Sequence, residues 1–322
     1  MIPARPLAVA DVEQAREALR PHLAPTPLRR SFALRERAVW LKLECWQPTG
    51  SFKVRGALAL LSSLTPEQRA RGVVAASAGN HALGVAFAAQ ALGGGVPATL
   101  FVPGSAPRAK LEKLRNFPVE VRVTGRTYDD AYAAARLHAE RAGATYVHAF
   151  DDPRTAAGQG TLALELLEQL PQVGSVVVPV GGGGLIAACA VALRALRPGV
   201  RVVAVQPEAS PALRESLRAG RPLLEYPAGP TLADGLAGGI GELVWLHRQL
   251  IDEVVEVSER QIEDAIVSLL AEDQLLCEAS GAIAVAALRG SRLADLPEPV
   301  VAVLTGANLD ARVLARLLAE RA

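Results

Sequence analysis

Short runs of β-branched residues alternate with longer alanine- and leucine-rich stretches along most of this 322-residue chain. Each run is apolar throughout, which is typical of strands that are buried on both faces of a sheet. Because helices must then cover both faces, the pattern predicts an α/β fold with mainly parallel sheets. The predicted strands are residues 73–76, 98–102, 119–123, 175–180, 200–205, 253–257 and 300–304, and the helices between them are 80–92, 128–141, 155–170, 185–196 and 259–271.

The length of the chain predicts two lobes, because a single core rarely grows beyond 250–300 residues. Proline and polar residues cluster at 64–67 and again at 151–154. We therefore expect a larger domain made of residues 1–64 and 151–322, and a smaller one made of residues 65–150. No Ser-, Gly- or Pro-rich linker and no repeat of fixed period divides the chain further.

The charge of the chain is balanced, with 34 basic and 33 acidic side chains. This balance excludes the basic stripe that binding to nucleic acid or to an anionic membrane surface requires. Two uncharged stretches, 72–107 and 173–193, are interrupted by glycine and proline, so we expect buried strands and helices there instead of membrane spans. The three widely separated cysteines, Cys45, Cys189 and Cys277, predict buried free thiols and a reducing cytoplasmic location.

A run of four glycines follows the predicted strand 175–180 and precedes the predicted helix 185–196. Residues without a Cβ allow backbone N–H groups to converge on an anion at a helix start, and phosphate is the obvious guest. Ile186 occupies the place of the third glycine of a dinucleotide fingerprint, and no Lys-Ser or Lys-Thr closes a Walker loop. A merely flexible turn is the alternative, but the buried strand–helix junction favours an anion site.

Lys53 lies just after a turn, near the predicted start of another helix. Its neighbours Phe52 and Val54 are apolar. A lysine that is desolvated there has a lowered pKa and can act as a nucleophile or as a base. Spacing alone leaves open the alternative of a solvated surface lysine.

Ser77 offers a rival interpretation, because residues 75–79 nearly match the G-x-S-x-G elbow of serine hydrolases. Asp234 and His247 follow in the chain order that such hydrolases use. However, the first glycine is missing, and no glycine-rich oxyanion loop precedes the serine. The five histidines show no close metal-ligand spacing, so ordinary structural or surface roles suffice for most of them and no metal site is predicted.

Four motifs in order make the chain resemble the fold type II pyridoxal-phosphate enzymes, and within them the threonine dehydratase and serine racemase group. They are the lysine segment 48–57, the turn 77–81, the glycine turn 181–184 and the turn 305–308. The resemblance extends over nearly the whole chain, from Thr26 to Asn308. It implies two open, mainly parallel twisted sheets flanked by helices, as in the tryptophan synthase β chain.

The resemblance implies that the chain binds pyridoxal 5'-phosphate and that Lys53 holds it covalently, with Phe52 beside the ring. Asn80 would hydrogen-bond the ring hydroxyl, and Thr305 would meet the pyridine nitrogen through a neutral hydroxyl. Glu278 matches a glutamate that lies near the cofactor in relatives. The phosphate would be cradled by Gly181, Gly182, Gly183 and Gly184.

The same resemblance implies an activity, the dehydration and deamination of L-threonine, and of L-serine, to a 2-oxo acid and ammonia. Lys53 would take the Cα proton of this small hydroxy amino acid. The serine racemase and hydroxyaspartate ammonia-lyase activities of the same group are alternatives, and a non-catalytic phosphate binder is a more distant one. The substrate carboxylate would be gripped by Ser77, Ala78, Gly79, Asn80 and His81.

Two departures from the pattern refine these expectations. Serine racemases place a second serine, which moves a proton, where this chain has Ala78, so dehydration is favoured over racemisation. Cation-binding relatives carry acidic ligands at the positions of Gln206 and Ala212, so a metal ion is not expected, although Glu208 is close by. Because only a last helix over 311–318 is predicted after Asn308, we expect the stand-alone form without a regulatory domain. Relatives of this kind are commonly homodimers or homotetramers, which implies a homo-oligomer.

Overall fold

The larger of two sheets has six strands in the order β1-β2-β10-β7-β8-β9. The computed structural model describes residues 5–93, 95–106 and 108–320. Only β1 pairs antiparallel in this sheet, with β2, and the remaining pairs are parallel. Its strands are β1 (Leu28–Arg30), β2 (Val39–Lys42), β7 (Ser175–Pro179), β8 (Arg201–Pro207), β9 (Glu253–Val257) and β10 (Val300–Val303).

The smaller sheet has four strands in the order β5-β4-β3-β6, all of them parallel. They are β3 (Val73–Ala76), β4 (Ala98–Val102), β5 (Glu120–Val123) and β6 (Thr145–Tyr146). Two mainly parallel sheets confirm the predicted fold class. All four strands fall inside the stretch 65–150, while the domain division itself stays a prediction.

Thirteen helices are found in the described residues, and they flank both sheets. Several have strong local signals: α6 begins at a Thr127–Asp130 capping box and ends at Gly143 in the left-handed conformation. The helices are α1 (Val9–Leu19), α2 (Lys53–Ser62), α3 (Pro66–Arg71), α4 (Asn80–Ala91), α5 (Arg108–Leu114), α6 (Tyr128–Ala142), α7 (Pro153–Gln169), α8 (Gly184–Leu196), α9 (Ala212–Ala219), α10 (Glu242–Leu246), α11 (Glu259–Ala271), α12 (Ala279–Arg289) and α13 (Ala311–Ala319). Within the part of the chain that the structure describes, none of them is long and apolar enough to cross a membrane.

A buried ion network ties α2 to α7 and to the end of β2. Arg55 donates to Glu44 at 2.7 Å and to Glu165 at 2.7 Å, and Lys42 donates to Glu165 at 2.8 Å. Burial alone would raise the pKa of Glu44, but the Arg55 guanidinium lowers it to about 2. The two positive and two negative charges balance, so α2 is held at its first turns by charge-assisted hydrogen bonds.

All three cysteines are buried and free, as expected.

Helix α2 also approaches α7 closely, because a Cβ at Gly158 would lie only 2.5 Å from the carbonyl oxygen of Arg55. The first turn of α2, with Lys53, is thus fixed against the body of the protein.

Candidate active site

Lys53 is the first residue of α2, and its amine is held by a neutral acceptor. Nζ donates to the carbonyl oxygen of Ala149 at 2.9 Å and lies 5.1 Å from the centre of the Phe52 ring. Burial lowers the pKa of Lys53 to about 8, because no carboxylate compensates the desolvated charge. At pH 7 about a tenth of the amine is therefore uncharged, far more than for an ordinary lysine, and this is the form that a nucleophile or base requires.

The turn after β7 and the start of α8 consist of four glycines packed closely against other residues. Gly183 has φ +87°, in the left-handed region, and a Cβ there would lie 2.5 Å from the side chain of Val244. A Cβ at Gly182 would overlap the ring of Phe150, and one at Gly184 its carbonyl oxygen. The first N–H groups of α8 have no acceptor within the helix, so the turn can bind an anion.

Ala149 and Phe150 join these two features. Ala149 accepts the hydrogen bond from Lys53, and the next residue packs on Gly182 and Gly184. The structure therefore brings the lysine and the glycine turn to the same segment between β6 and α7. The sequence alone did not predict this link.

The turn between β3 and α4 presents small residues to an open space. Ser77 Oγ accepts a hydrogen bond from the N–H of Gly79 at 3.2 Å, and a Cβ at Gly79 would meet no atom within 4 Å. His81 is buried, and its Nε2 lies 2.9 Å from the carbonyl oxygen of Val147. Burial, and next the nearby Lys53, lower the pKa of His81 to about 3, so its ring is neutral. Ala78 lies half-buried within the turn.

Asn80 connects this turn to two other segments. Its Nδ2 donates to Glu278 Oε1 at 2.6 Å, and its Oδ1 accepts from Asn308 Nδ2 at 2.7 Å. Glu278 immediately precedes α12, and Asn308 follows β10. The amide is thereby fixed in orientation, because each end has only one suitable partner type.

Thr305 lies in the turn after β10 and is buried. Its hydroxyl donates to the carbonyl oxygen of Ser280 at 3.1 Å, and its own carbonyl accepts the N–H of Phe52. The turn after β10 thus borders the first turn of α2, and Asn308 links it to Asn80 at the end of the turn after β3. This agrees with the rule that ligands bind at the carboxyl ends of parallel strands.

The hydrolase interpretation is wrong on this geometry. His247 Nε2 accepts the N–H of Leu7 at 2.9 Å, and Ser77 Oγ accepts the N–H of Gly79. No hydrogen bond joins the serine to His247 within the described residues. The chain order of the three hydrolase residues therefore does not correspond to a triad.

Gln206 is fully buried, and its carboxamide makes hydrogen bonds at both ends. Oε1 accepts the N–H groups of Leu213 and Arg214 at 3.0 and 3.2 Å. Nε2 faces the carbonyl oxygens of Ser210 and Val180 at 3.4 and 3.5 Å, the latter just before the glycine turn. Among the described residues, no group of three or more His, Cys, Asp or Glu could hold a metal ion.

His148 is a candidate that sequence reasoning missed. In the sequence it shows no close metal-ligand spacing to another histidine, and the strand before it, β6, has only two residues. The structure places it one residue before Ala149, where burial, and to a smaller extent the charge of Lys53, lower the pKa of its ring while Asp151 raises it. Its position shortly after a strand of the smaller sheet is the signal that could have found it.

Comparison with other proteins gives concordant results. A family profile described as "Pyridoxal-phosphate dependent enzyme" matches residues 19–306. The chain is 44% identical over 309 residues to an L-threonine ammonia-lyase of Geobacter sulfurreducens, covering 94% of this chain and 76% of that protein.

Two solved structures are similar over almost their whole length. A processed form of threonine deaminase isoform 2 from Solanum lycopersicum has a TM-score of 0.91 at 31% identity, covering 99% of this chain and 96% of that one. A maize serine racemase has a TM-score of 0.90 at 31% identity, covering 98% of both chains.

Proposed function

The chain belongs to the family of pyridoxal-phosphate dependent enzymes, and from that premise we propose that it converts L-threonine into 2-oxobutanoate and ammonia. The relatives named L-threonine ammonia-lyase support this activity at 44% identity over most of the chain. L-Serine, which would give pyruvate, is proposed as a second substrate. Residues 149–150 carry the proposal, because they contact the amine of Lys53 on one side and the glycine turn on the other.

The residues present fit the cofactor. A phosphate ester needs converging N–H donors without side chains in the way, which Gly181, Gly182, Gly183 and Gly184 would supply at the start of α8. An aldehyde needs an unprotonated amine, which Lys53 supplies. When bound, pyridoxal phosphate provides an electron sink that makes the Cα–H bond of an amino acid acidic.

Lys53 has two roles in this proposal. It would hold the cofactor, and its uncharged amine would take the Cα proton of the substrate. The lowered pKa of about 8 serves both roles, because each requires the uncharged form. Its partner, the carbonyl of Ala149, leaves the lone pair of the amine available.

Other side chains orient the ring. Asn80 would contact the ring hydroxyl through the amide that Glu278 and Asn308 fix in place. Phe52 would lie beside the ring, and the hydroxyl of Thr305 would meet the pyridine nitrogen. Because that hydroxyl is neutral, it does not force the nitrogen to stay protonated.

The substrate carboxylate would bind at the turn made of Ser77, Ala78, Gly79, Asn80 and His81. This turn opens on free space at Gly79 and begins α4, whose N-terminal N–H groups and dipole favour an anion. The neutral ring of His81 adds no charge there and anchors the turn to Val147.

Racemisation is the second candidate, because a serine racemase is among the most similar structures. It requires an acid–base group on the face of the substrate opposite Lys53. Ala78 has no group that can carry a proton, which favours dehydration. Ammonia release from hydroxyaspartate is a further alternative within the same chemistry.

The domain division, the cellular location and the oligomeric state are further parts of the proposal. We propose a larger domain of residues 1–64 and 151–322 and a smaller one of 65–150, which the strands of the smaller sheet support because all four lie within 65–150. A cytoplasmic homo-oligomer, a dimer or a tetramer, is proposed as well. Light scattering after size exclusion measures the oligomeric state directly.

A coupled assay for 2-oxo acid release tests the activity on L-threonine, L-serine and threo-3-hydroxyaspartate, with and without magnesium. We expect product from L-threonine, no yellow absorption band in Lys53→Ala, and no need for magnesium. Exchange of L-serine into the D-enantiomer without ammonia release would favour the racemase instead. Phosphate binding that survives Lys53→Ala, with no activity in either protein, would favour a simple anion binder.

A further inference from the structure

His148 lies in the segment that runs from β6 to α7. Its ring packs edge-on against Phe150, with ring centres 4.7 Å apart at 88°, and against Tyr146 at 6.1 Å. The ring of Phe150 in turn covers Gly182 of the glycine turn. The next residue, Ala149, accepts the hydrogen bond from Lys53. His148 is therefore held by aromatic packing beside the two central features of the site.

The tautomer of His148 follows from its contacts. Nδ1 accepts the backbone N–H of Asp151 at 2.9 Å and that of Phe150 at 3.4 Å. A ring nitrogen that accepts hydrogen bonds carries no proton, so the neutral ring bears its proton on Nε2. Burial lowers the pKa of His148, Asp151 opposes this effect and Lys53 adds to it, which agrees with a neutral ring.

The Nε2–H group has no hydrogen-bond partner among the described residues, and the residue as a whole is only half-buried. By contrast, Nε2 of the neighbouring His81 is engaged with Val147. His148 therefore presents an uncharged donor, held in orientation through Nδ1, on the residue that precedes the hydrogen-bond acceptor of Lys53.

A 3-hydroxy amino acid has three polar groups to be recognised. Its amino group goes to the cofactor and its carboxylate to the turn 77–81, while its hydroxyl has no partner assigned so far. We propose that His148 is a specificity-determining residue whose Nε2–H donates a hydrogen bond to the hydroxyl oxygen on the substrate Cβ. This inference rests on the proposed ammonia-lyase function and assigns the group that selects a hydroxy amino acid.

No covalent bond to His148 forms or breaks. During elimination the amine of Lys53 would take the Cα proton, the electron pair of the Cβ–O bond would leave with the oxygen, and the ammonium of Lys53 would pass that same proton to the departing hydroxyl to give water. The Nε2–H group stays protonated and stabilises the negative charge that grows on that oxygen.

His148→Asn tests the proposal, because the asparagine Oδ1 can replace Nδ1 as acceptor for the N–H of Asp151 while the distal donor is lost. His148→Gln places an amide N–H near the former Nε2. His22→Asn makes the same chemical change at a histidine outside the site. The substrates are L-threonine, L-serine and β-chloro-L-alanine. The chloride of the last one leaves as a stable anion and does not need a hydrogen-bond donor.

We expect kcat/KM of His148→Asn to fall about tenfold for L-threonine and L-serine, the usual effect of one lost hydrogen bond. Its value for β-chloro-L-alanine should stay within about twofold. His148→Gln should recover part of the loss, and His22→Asn should behave as wild type. The cofactor absorption band and melting temperature should match those of wild type in all three variants.

Equal losses on all three substrates, or no loss on any, overturn the proposal, because either outcome removes the link to the hydroxyl. Imidazole NMR of the apoprotein gives a second, independent readout. A proton on Nδ1 of His148, or a charged ring at pH 7, also overturns it. Failure of the proposed function is distinguishable, because then the wild type itself releases no ammonia from any of the three substrates.

Discussion

The amine of Lys53 and the carbonyl oxygen of Ala149 are 2.9 Å apart, so the hydrogen bond that this lysine makes among the described residues ends on an uncharged group. A carboxylate partner would raise the pKa of the amine, whereas here burial lowers it without compensation. The lysine is thus reactive before any cofactor arrives.

This relationship predicts the pH dependence of cofactor capture by the apoprotein. Only the uncharged amine attacks the aldehyde, so the rate should rise with pH and level off above about 8, well below the ordinary lysine value of 10.5. Stopped-flow measurement of the growing yellow band checks this. Nα-acetyl-lysine, which keeps a free ε-amine, is the matched amine in solution. A midpoint near that of the free amine would contradict the prediction.

Gly182→Ala should weaken cofactor binding, because its Cβ would overlap the ring of Phe150 and displace the turn. Overpacking of this kind costs about 1–3 kcal/mol, which corresponds to a rise in Kd of about 5- to 150-fold. Fluorescence titration of the apoprotein measures it. Gly199→Ala is the matched control, since a Cβ there meets nothing within 4 Å. An unchanged Kd for Gly182→Ala would show that the turn does not hold the phosphate.

Arg55→Met should lower the free energy of unfolding by about 3–5 kcal/mol, because it leaves Glu44 and Glu165 buried with too little positive charge. Arg5→Met is the matched control: Arg5 pairs with Asp11 at 2.6 Å, but its side chain is 57% exposed, so the loss should be below about 1 kcal/mol. Urea denaturation of the apoproteins compares the two. Similar losses would mean that the buried network is not what holds α2.

The same network predicts acid sensitivity. The pKa of Glu44 is lowered in the folded protein to about 2 from an ordinary value of 4.5. Its contribution to stability is therefore present above pH 4.5 and is lost as the pH falls toward 2. Melting temperatures of wild type and Glu44→Gln should converge over that interval. Curves that stay parallel from pH 6 to pH 2 would contradict the assignment.

Gln206→Glu should make the protein respond to divalent cations. The substitution points a carboxylate at the carbonyl oxygens of Val180 and Ser210, where the wild type has an amide N–H group. Three oxygens in a buried space repel one another unless a cation lies between them. We expect a lowered melting temperature that calcium or magnesium partly restores, whereas wild type and Gln206→Leu should not respond. A wild-type protein stabilised by these cations would refute the prediction.

Much of the fold could be predicted from the sequence, because short apolar runs rich in β-branched residues and bounded by turn residues are typical of strands buried on both faces of a sheet. The strands predicted at 73–76, 98–102 and 253–257 coincide with β3, β4 and β9. The strands that were missed have different reasons. β2 ends in Lys42, whose charge is paired with the distant Glu165, and β1 and β6 are only three and two residues long.

For the site, the glycine turn and Lys53 could be singled out because each violates a local rule: four glycines at a buried junction, and a charge among apolar neighbours. The residues that contact these two features could not be identified from the sequence. Ala149 acts through its backbone carbonyl, which any residue possesses, and His148 through a tautomer that depends on the N–H of Asp151. The type of residue at a position therefore does not reveal contacts of this kind.

The packing of Phe150 on Gly182 also constrains how such a chain can diverge. An alanine at position 182 is tolerable only in a lineage that has already exchanged Phe150 for something smaller, whereas the exchange of Phe150 leaves only a void to be filled. The two substitutions should therefore occur in a fixed order. A relative that carries both should have acquired the smaller residue at position 150 before the alanine at position 182.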